Sequence, residues 1–429
     1  MNLKRATLGF LSLLAAPGYG RRDATAIAQN VARTSADCSL VFSGVTTPLT
    51  DSAGARFFID QPIVAEVRGG EAWLGDQVRE WPGRSGTSTW LAGARKSSTG
   101  AMARIDTPDT TVQMQFPSLL AATNMLAHVV WGVRSDTSWM NISDYVRSIS
   151  YGIYDGNKWS IPELVMKAPA IHWTTSNTSV LVADARMYVA AANHSRNGAP
   201  NQALVARRES GVWKQVVVAE SRLPFGIQAL RLQRAEHDAV VLVYSGFGRV
   251  ADSSFAATFV SRSLDGGATW TAPKVLRALP PPAMPMLGGF HRLSDGTLHL
   301  IWASEIAGGG ATEVLHEMSR DGGITWESAK PITAINKFDY LLSTQLGDRI
   351  VVTVRDSDRL LAQALVGSTI GFQVASSVQA PGLPVNIVRS GNAFETVWGL
   401  ITGLTTADKT TIGVSAVLHS VTAKIKCRQ

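Results

Sequence analysis

The sequence has few cysteines, few charges and no long hydrophobic run, and each absence excludes a class of protein. Only two cysteines, Cys38 and Cys427, occur in 429 residues, which excludes a disulfide-dense scaffold and a cysteine-rich zinc site. Charged residues make up 17% of the chain and form no runs, which argues against extended disorder. No segment supplies the ~20 apolar residues of a membrane span, and no Gly-rich phosphate loop precedes a helix. We therefore expect no metal and no cofactor.

The N-terminus resembles an export signal. Lys4 and Arg5 precede a short apolar stretch, residues 6–16, as in a signal peptide. We expect residues 1–20 to be a signal peptide and residues 21–36 to be a flexible segment, with one domain over residues 37–429. A short uncleaved N-terminal helix is the alternative. A secreted or periplasmic location follows from the signal, and there the two cysteines are expected to form a disulfide that joins the chain ends.

An eight-residue motif, S-x-D-G-G-x-T-W, occurs twice. One copy runs from Ser263 to Trp270 and the other from Ser319 to Trp326, so that the two tryptophans are 56 residues apart. In each copy the Asp side chain is suited to accept hydrogen bonds from turn N–H groups, and the Gly pair permits positive φ. The Trp supplies a large ring to pack between strands. The residues expected to form the turns are Ser263, Asp265, Gly267, Trp270, Ser319, Asp321, Gly323 and Trp326.

Weaker copies extend the series along the chain. Tyr154 to Trp159 retains the Asp-Gly and the Trp, and Glu209 to Trp213 retains the Gly and the Trp. The spacing suits one four-stranded antiparallel sheet per copy, with an apolar second strand upstream of each motif. Seven units are predicted, starting near residues 58, 117, 171, 226, 284, 338 and 383. The strand that begins at Cys38 is expected to pair with residues 423–427 and complete the last unit; six units with an N-terminal appendage is the alternative.

These octamers resemble the Asp-box, or BNR repeat, of the sialidase superfamily. The resemblance implies an all-β fold, a β-propeller of four-stranded antiparallel blades, with the boxes on the face opposite the active site. In that family three Arg side chains bind the substrate carboxylate, a Tyr activated by a Glu is the nucleophile, and an Asp assists. At the matching positions this chain lacks the three Arg residues, and Tyr340 alone matches loosely.

Other residues at the predicted ligand face were therefore selected by their place in each unit. Loops that leave the second strand and loops that enter the first strand form this face. The expected catalytic residues are Tyr340, Glu305 and His194; the expected substrate-binding residues are Arg134, Arg249, Arg355, His172 and Asp136. Solvated rim charges and structural hydrogen bonds are the alternative roles for these Arg and His side chains.

The charge balance favours an acidic partner. The net charge is +7 and the pI is about 9.5, which suits an acidic oligosaccharide or polysaccharide. No basic stripe with interleaved aromatics points to nucleic acid. Three hypotheses follow: a divergent glycan hydrolase of the sialidase type, a non-catalytic glycan- or protein-binding propeller, and a lyase that acts on uronate polymers. The sequence does not specify the oligomeric state.

Overall fold

The structure is a computed structural model, and the residues it describes fall in 24 stretches. They are 38–42, 47–48, 60–80, 87–97, 102–105, 108, 113–123, 125–134, 148–167, 172–174, 179–183, 186–195, 198–223, 226–250, 253–279, 283–306, 312–336, 338–346, 348–356, 361–368, 371–379, 383–390, 393–406 and 412–427. The predicted signal peptide and flexible segment lie outside them. In the described stretches every regular element is a β-strand, and no helix is long and apolar enough to cross a membrane.

The strands are short and rich in Val, Ala and Leu, as expected for strands buried on both faces. In chain order they are β1 (Cys38–Phe42), β2 (Thr47–Pro48), β3 (Asp60–Val67), β4 (Gly70–Glu80), β5 (Thr87–Ser97), β6 (Met102–Ile105), β7 (Gln113–Thr123), β8 (Leu126–Arg134), β9 (Ser148–Tyr154), β10 (Glu163–Lys167), β11 (His172–Thr174), β12 (Ser179–Ala183), β13 (Arg186–Ser195), β14 (Asn201–Glu209), β15 (Val212–Ser221), β16 (Leu230–Arg234), β17 (Val240–Val250), β18 (Ser253–Ser263), β19 (Lys274–Leu279), β20 (Ala283–Arg292), β21 (Leu298–Ile306), β22 (Thr312–Ser319), β23 (Lys330–Ile335), β24 (Phe338–Leu346), β25 (Arg349–Asp356), β26 (Leu361–Ser368), β27 (Gly371–Gln379), β28 (Leu383–Ser390), β29 (Ala393–Thr406) and β30 (Ile412–Cys427).

The described strands form seven antiparallel sheets; six are built from consecutive strands, and the seventh also includes β1 and β2. We number the sheets by their first strands: sheet 1 starts with β3, sheet 2 with β7, sheet 3 with β11 and β12, sheet 4 with β16, sheet 5 with β20, sheet 6 with β24 and sheet 7 with β28. These starts lie within a few residues of the seven unit starts predicted from the repeat. Five of the sheets have four strands, and sheets 3 and 7 have a fifth short strand, β12 and β2 respectively. The fold is therefore the all-β arrangement of antiparallel sheets that the Asp-boxes predicted.

The first strands of the sheets contact one another in a closed ring. Contacts run from β3 to β7, β12, β16, β20, β24 and β28, and β28 returns to β3. The N-terminal strand β1 pairs with β30 at the outer edge of sheet 7, with Cys38 opposite Cys427 and Phe42 opposite Ala423. One sheet is thus built from both ends of the chain, as predicted. The cysteine side chains are outside the described part, so the disulfide stays a prediction.

Both Asp-boxes form the turn that the motif predicts, between the third and fourth strands of sheets 4 and 5. Asp265 Oδ1 accepts hydrogen bonds from the N–H groups of Ala268 (3.0 Å) and Thr269 (2.9 Å), and Oδ2 accepts one from Thr269 Oγ1 (2.6 Å). Ser263 Oγ accepts from the N–H of Gly267 at 2.7 Å. Gly267 has φ of 83°, a conformation that favours glycine. The Asp321 box repeats these bonds.

Each box tryptophan packs into the core between its own sheet and the preceding one. Trp159 packs between sheets 1 and 2, Trp213 between sheets 2 and 3, Trp270 between sheets 3 and 4, and Trp326 between sheets 4 and 5. Phe372 takes the corresponding place between sheets 5 and 6. The core is therefore a series of inter-sheet layers, and the series of aromatic residues continues one unit beyond the tryptophans.

Candidate functional site

The two ends of every sheet carry different loops. The Asp-box turns lie at the end where the third strand leads to the fourth, which we call the box end. At the other end, which we call the loop end, the second strand leads to the third and each sheet passes to the next. Since strands alternate in direction, the loop end lies opposite the boxes. All the predicted site residues that the structure describes lie on strands near the loop end.

Two pairs of predicted residues are neighbours in strand register. Tyr340 in β24 lies opposite Arg355 in β25, next to a bulge in the first strand of sheet 6. In sheet 3, His172 lies opposite Ser195, and the adjacent pair joins Trp173 to His194. The backbone therefore brings Tyr340 and Arg355 together and places both histidines at one strand end.

Two of the three arginines lie at the same height at the loop end, and the third lies farther out. Arg134 lies opposite Gln113, the first residue of β7, and Arg355 is likewise level with the start of its first strand. Arg249 lies farther out, opposite Ser254 in the β17–β18 hairpin. The substrate-binding role of the three stays a prediction, as does that of Asp136, which is outside the described residues.

Glu305 has the environment of a candidate general acid. It lies one residue before the end of β21, opposite Met284 in β20. The side chain is half-buried, and the burial raises the pKa of its carboxyl above the usual value. Its neighbour on the next strand, Glu313, is exposed. A carboxyl that keeps its proton to higher pH is the kind of group that donates a proton to a leaving group.

His194 lies at the loop end, but its side chain is buried. It is 5% exposed, and burial lowers its pKa to about 4. The imidazole is therefore neutral at pH 7. The alternative role for His194 was a structural hydrogen bond. The burial of its side chain fits that role better than direct contact with a substrate.

Asn193, next to His194, was not selected from the sequence as a site residue. It is fully buried, and among the described residues neither polar atom of its side chain has a hydrogen-bond partner; the buried Ser195 Oγ also lacks one there. The sequence signal is the end of an apolar run, Val189 to Ala192, at a polar residue. Asn193 also begins a glycosylation sequon, but its burial excludes modification in the folded chain. Asn193 and Ser195 lie on one face of β13, and their side-chain polar groups are available for hydrogen bonds to a water or a ligand.

Another perturbed carboxyl lies away from the loop end. Glu317 in β22 is 1% exposed and lies 3.3 Å from the Arg277 guanidinium of the preceding sheet. Burial raises its pKa to about 7, and Arg277 opposes this shift. Because Glu317 is buried and contacts Arg277 of the preceding sheet, it belongs to the inter-sheet packing. Within the described residues no group of three or more His, Cys, Asp or Glu side chains is arranged to hold a metal ion.

Comparisons with known proteins agree with the repeat. Residues 229–369 match the family model of the BNR repeat-like domain. Similar solved structures include the polysaccharide lyase Uly1, with 10% identity over 90% of this chain and 93% of that chain and a TM-score of 0.53. A Hadza microbial sialidase, Hz136, has 14% identity over 74% of this chain and 65% of that chain, with a TM-score of 0.47. The α-L-arabinofuranosidase Arb93A from Fusarium graminearum has 11% identity over 72% of this chain and 93% of that chain, with a TM-score of 0.45. No curated protein matches the sequence significantly.

Proposed function

We propose that this BNR-repeat propeller of the sialidase superfamily is a secreted enzyme that binds an acidic glycan at its loop end and cleaves a glycosidic bond. The observation that carries the proposal is Glu305, a half-buried carboxyl with a raised pKa at the loop end of sheet 5. The net charge of +7 favours an acidic partner. Two proteins with similar folds are, by their names, a polysaccharide lyase and a sialidase.

In the proposed mechanism Glu305 protonates the oxygen of the leaving sugar. Its raised pKa keeps the carboxyl protonated over a wider pH range than that of an exposed Glu, which a general acid requires. Arg134 and Arg355 are proposed to bind the substrate carboxylate, since a guanidinium matches a carboxylate with two parallel hydrogen bonds. Tyr340, opposite Arg355, is the proposed nucleophile. Its oxygen bonds to the anomeric carbon as the protonated leaving sugar departs, and its phenolic proton passes to water. A water molecule then displaces Tyr340 from that carbon, giving one proton back to Glu305, and Tyr340 regains its proton from solvent.

The test is a screen of the purified chain against fluorogenic sialosides, polygalacturonate and colominic acid. Glu305→Gln is expected to lower kcat at least 100-fold with little change in binding, because the amide preserves the shape and removes the proton. Glu313→Gln, an exposed neighbour, is the matched control and is expected to retain full activity. In the wild type, activity is expected to fall as pH rises past the pKa of Glu305.

Two other outcomes would contradict the proposed hydrolysis. Product with a conjugated, unsaturated uronate end, detected by its ultraviolet absorbance, would identify a lyase. Binding without cleavage of any substrate, unaffected by Glu305→Gln, would identify a binding propeller. Equal activity of the Glu305→Gln variant and the wild type would remove Glu305 from the reaction.

A further inference from the structure

Two polar side chains near the end of β13 lack hydrogen-bond partners among the described residues. Asn193 is fully buried, and neither its carbonyl oxygen Oδ1 nor its amide nitrogen Nδ2 is paired there; the buried hydroxyl Oγ of Ser195 is also unpaired. Burying such groups without a partner is strongly unfavourable. Folded proteins satisfy nearly all of them, either with protein groups or with ordered water. A partner for these three atoms is therefore expected.

The polar side chains of the neighbouring strand β14 bond elsewhere. Gln202 lies directly opposite Asn193, yet its amide donates to the Glu220 carboxylate at 2.8 Å. Asn201 accepts a hydrogen bond from the N–H of Ser195 at 2.9 Å, and its own amide donates to a backbone carbonyl at 2.7 Å. These bonds fix the backbone at the strand end. Among the described residues they leave the Ser195 hydroxyl and both polar atoms of the Asn193 side chain without a bond.

Both side chains face the layer between sheets 2 and 3. Side chains alternate between the two faces of a strand, and the register of β13 with its neighbours is regular. Ala191 packs in this layer with residues of sheet 2, whereas Ala190 and Ala192 pack toward sheet 4. Asn193 and Ser195 continue the face of Ala191. The unpaired groups therefore form the polar end of an otherwise apolar layer, close to the loop end.

The facing strand of sheet 2 lacks a side chain at this height. Ser195 and Arg134 lie opposite the first residues of β11 and β7 respectively. Two residues earlier, Asn193 and Gly132 therefore stand at the same height in their sheets. Val130 packs in the layer between sheets 2 and 3, and Gly132 continues its face in regular register with β9. A glycine inside a strand often marks a close approach by a ligand or another backbone, and the missing side chain leaves room beside unpaired polar groups, as a buried water requires.

We infer that Asn193 and Ser195 bind one internal water molecule between sheets 2 and 3. Residues two apart on a strand are about 6.6 Å apart, and a water about 2.8 Å from a polar group of each residue spans such a gap. The Asn193 amide offers donors and an acceptor, and the Ser195 hydroxyl offers both, which matches the donors and acceptors of water. The water fastens the strand end beside His194. The site does not depend on the proposed function.

A high-resolution crystal structure of the full chain tests the site directly. A separate density peak within hydrogen-bond distance of both the Asn193 amide and the Ser195 hydroxyl is expected. A side-chain or backbone group of the chain in that place would overturn the inference, because the polar atoms would then have a protein partner. The lack of any peak there would overturn it as well.

Unfolding of two serine variants tests the site in solution. Ser195→Ala removes one hydroxyl and adds no bulk. If this hydroxyl binds water, the equilibrium constant for unfolding is expected to rise several-fold, about as much as in Ser261→Ala. Ser261 is the matched comparison, because its buried hydroxyl donates to the carbonyl of Thr271 at 2.6 Å. A hydroxyl without a partner gives the opposite result, so a Ser195→Ala variant as stable as the wild type, or more stable, would contradict the inference.

A double-mutant cycle tests whether one water serves both residues. Asn193→Val replaces the amide by an apolar side chain of similar size. Each single variant is expected to be less stable than the wild type, and the double variant is expected to lose less than the sum, because the first substitution already releases the shared water. Additive losses would contradict a shared water. If Asn193→Val does not fold, the comparison of Ser195→Ala with Ser261→Ala decides.

Discussion

At the scale of single residues, the Asp-box carboxylates carry most of the turn chemistry. Asp265 accepts bonds from two N–H groups and from the hydroxyls of Ser263 and Thr269. The bond from Thr269 is the largest cause that lowers the pKa of Asp265 below its usual value. Because the folded-state pKa is depressed, this stabilisation is present above about pH 4 and is lost as pH falls below it.

Asp265→Ala is expected to lower the free energy of unfolding by about 1 kcal/mol, because charge-assisted bonds at an exposed turn are screened by water. Thermal or urea unfolding at pH 7 measures the change. Asp155→Ala is the matched comparison: among the described residues, the donors to the Asp155 carboxylate are the N–H groups of Asn157 and Lys158, and no hydroxyl donates to it. A larger loss at Asp155 than at Asp265 would mean that the hydroxyl donors do not stabilise the box.

The sequence predicted the box residues better than the site residues, and the reason is physical. Among the described residues, the carboxylates of Asp265 and Asp321 accept hydrogen bonds only from their own octamers, so the local sequence specifies the geometry of the turn. A binding site depends on residues from different sheets, and the relative positions of these strand residues follow from strand register. Arg134, Arg249 and Arg355 looked equivalent in sequence, yet the register places Arg249 farther out on a hairpin.

At the scale of elements, a chain of buried hydrogen bonds lies near the joint between sheets 5 and 6. His299 Nδ1 is 2.9 Å from His316 Nε2, and His299 Nε2 is 2.7 Å from Thr297 Oγ1. Thr297 Oγ1 in turn donates to Asp295 at 2.6 Å. The His316 ring meets the edge of Phe372 from sheet 6. Burial lowers the pKa of both histidines. For His299, Arg320 adds to the lowering, whereas Asp295 and Glu327 oppose it. For His316, Lys330 adds to the lowering and Glu327 opposes it.

This joint is expected to weaken in acid. Since the folded-state pKa values lie below the ordinary 6.5, the unfolded chain takes up more protons below that pH, and stability falls as pH decreases from 6.5. His316→Gln is expected to reduce the slope of unfolding free energy against pH between 6.5 and 4.5 by up to about 1.4 kcal/mol per pH unit. Denaturant titrations at several pH values measure the slope. His237→Asn, which changes an exposed residue, is the control and is expected to leave the slope unchanged. Equal slopes in the wild type, His316→Gln and His237→Asn would refute the prediction.

The repeat series was predicted at this scale wherever a tryptophan marked it. Trp159, Trp213, Trp270 and Trp326 lie at steps of 54 to 57 residues, and each packs into its inter-sheet layer as expected. Phe372 continues the series at a shorter step and without the Ser-x-Asp-Gly turn, so the octamer pattern did not reveal it. The packing layer needs a large ring, which Phe supplies, but does not need the box.

At the scale of the whole molecule, both chain ends meet in one sheet. A ring of sheets removes free edges only if its last sheet is complete, and here β1 completes it from the N-terminal side. Cys38 and Cys427 lie directly opposite each other in register. Opposed residues of an antiparallel pair have Cα atoms about 4.5–5.5 Å apart, within the range that a disulfide requires.

The disulfide predicted at this seam is expected to raise stability by a few kcal/mol, because it closes nearly the whole chain into one loop in the unfolded state. Thermal unfolding with and without a reductant measures this: the reductant is expected to lower the midpoint of the wild type and to leave Cys38→Ser unchanged. Mass spectrometry of the unreduced chain checks the bond independently. Two free thiols in protein purified from an oxidising compartment would contradict the prediction, and the seam would then depend on the β1–β30 ladder alone.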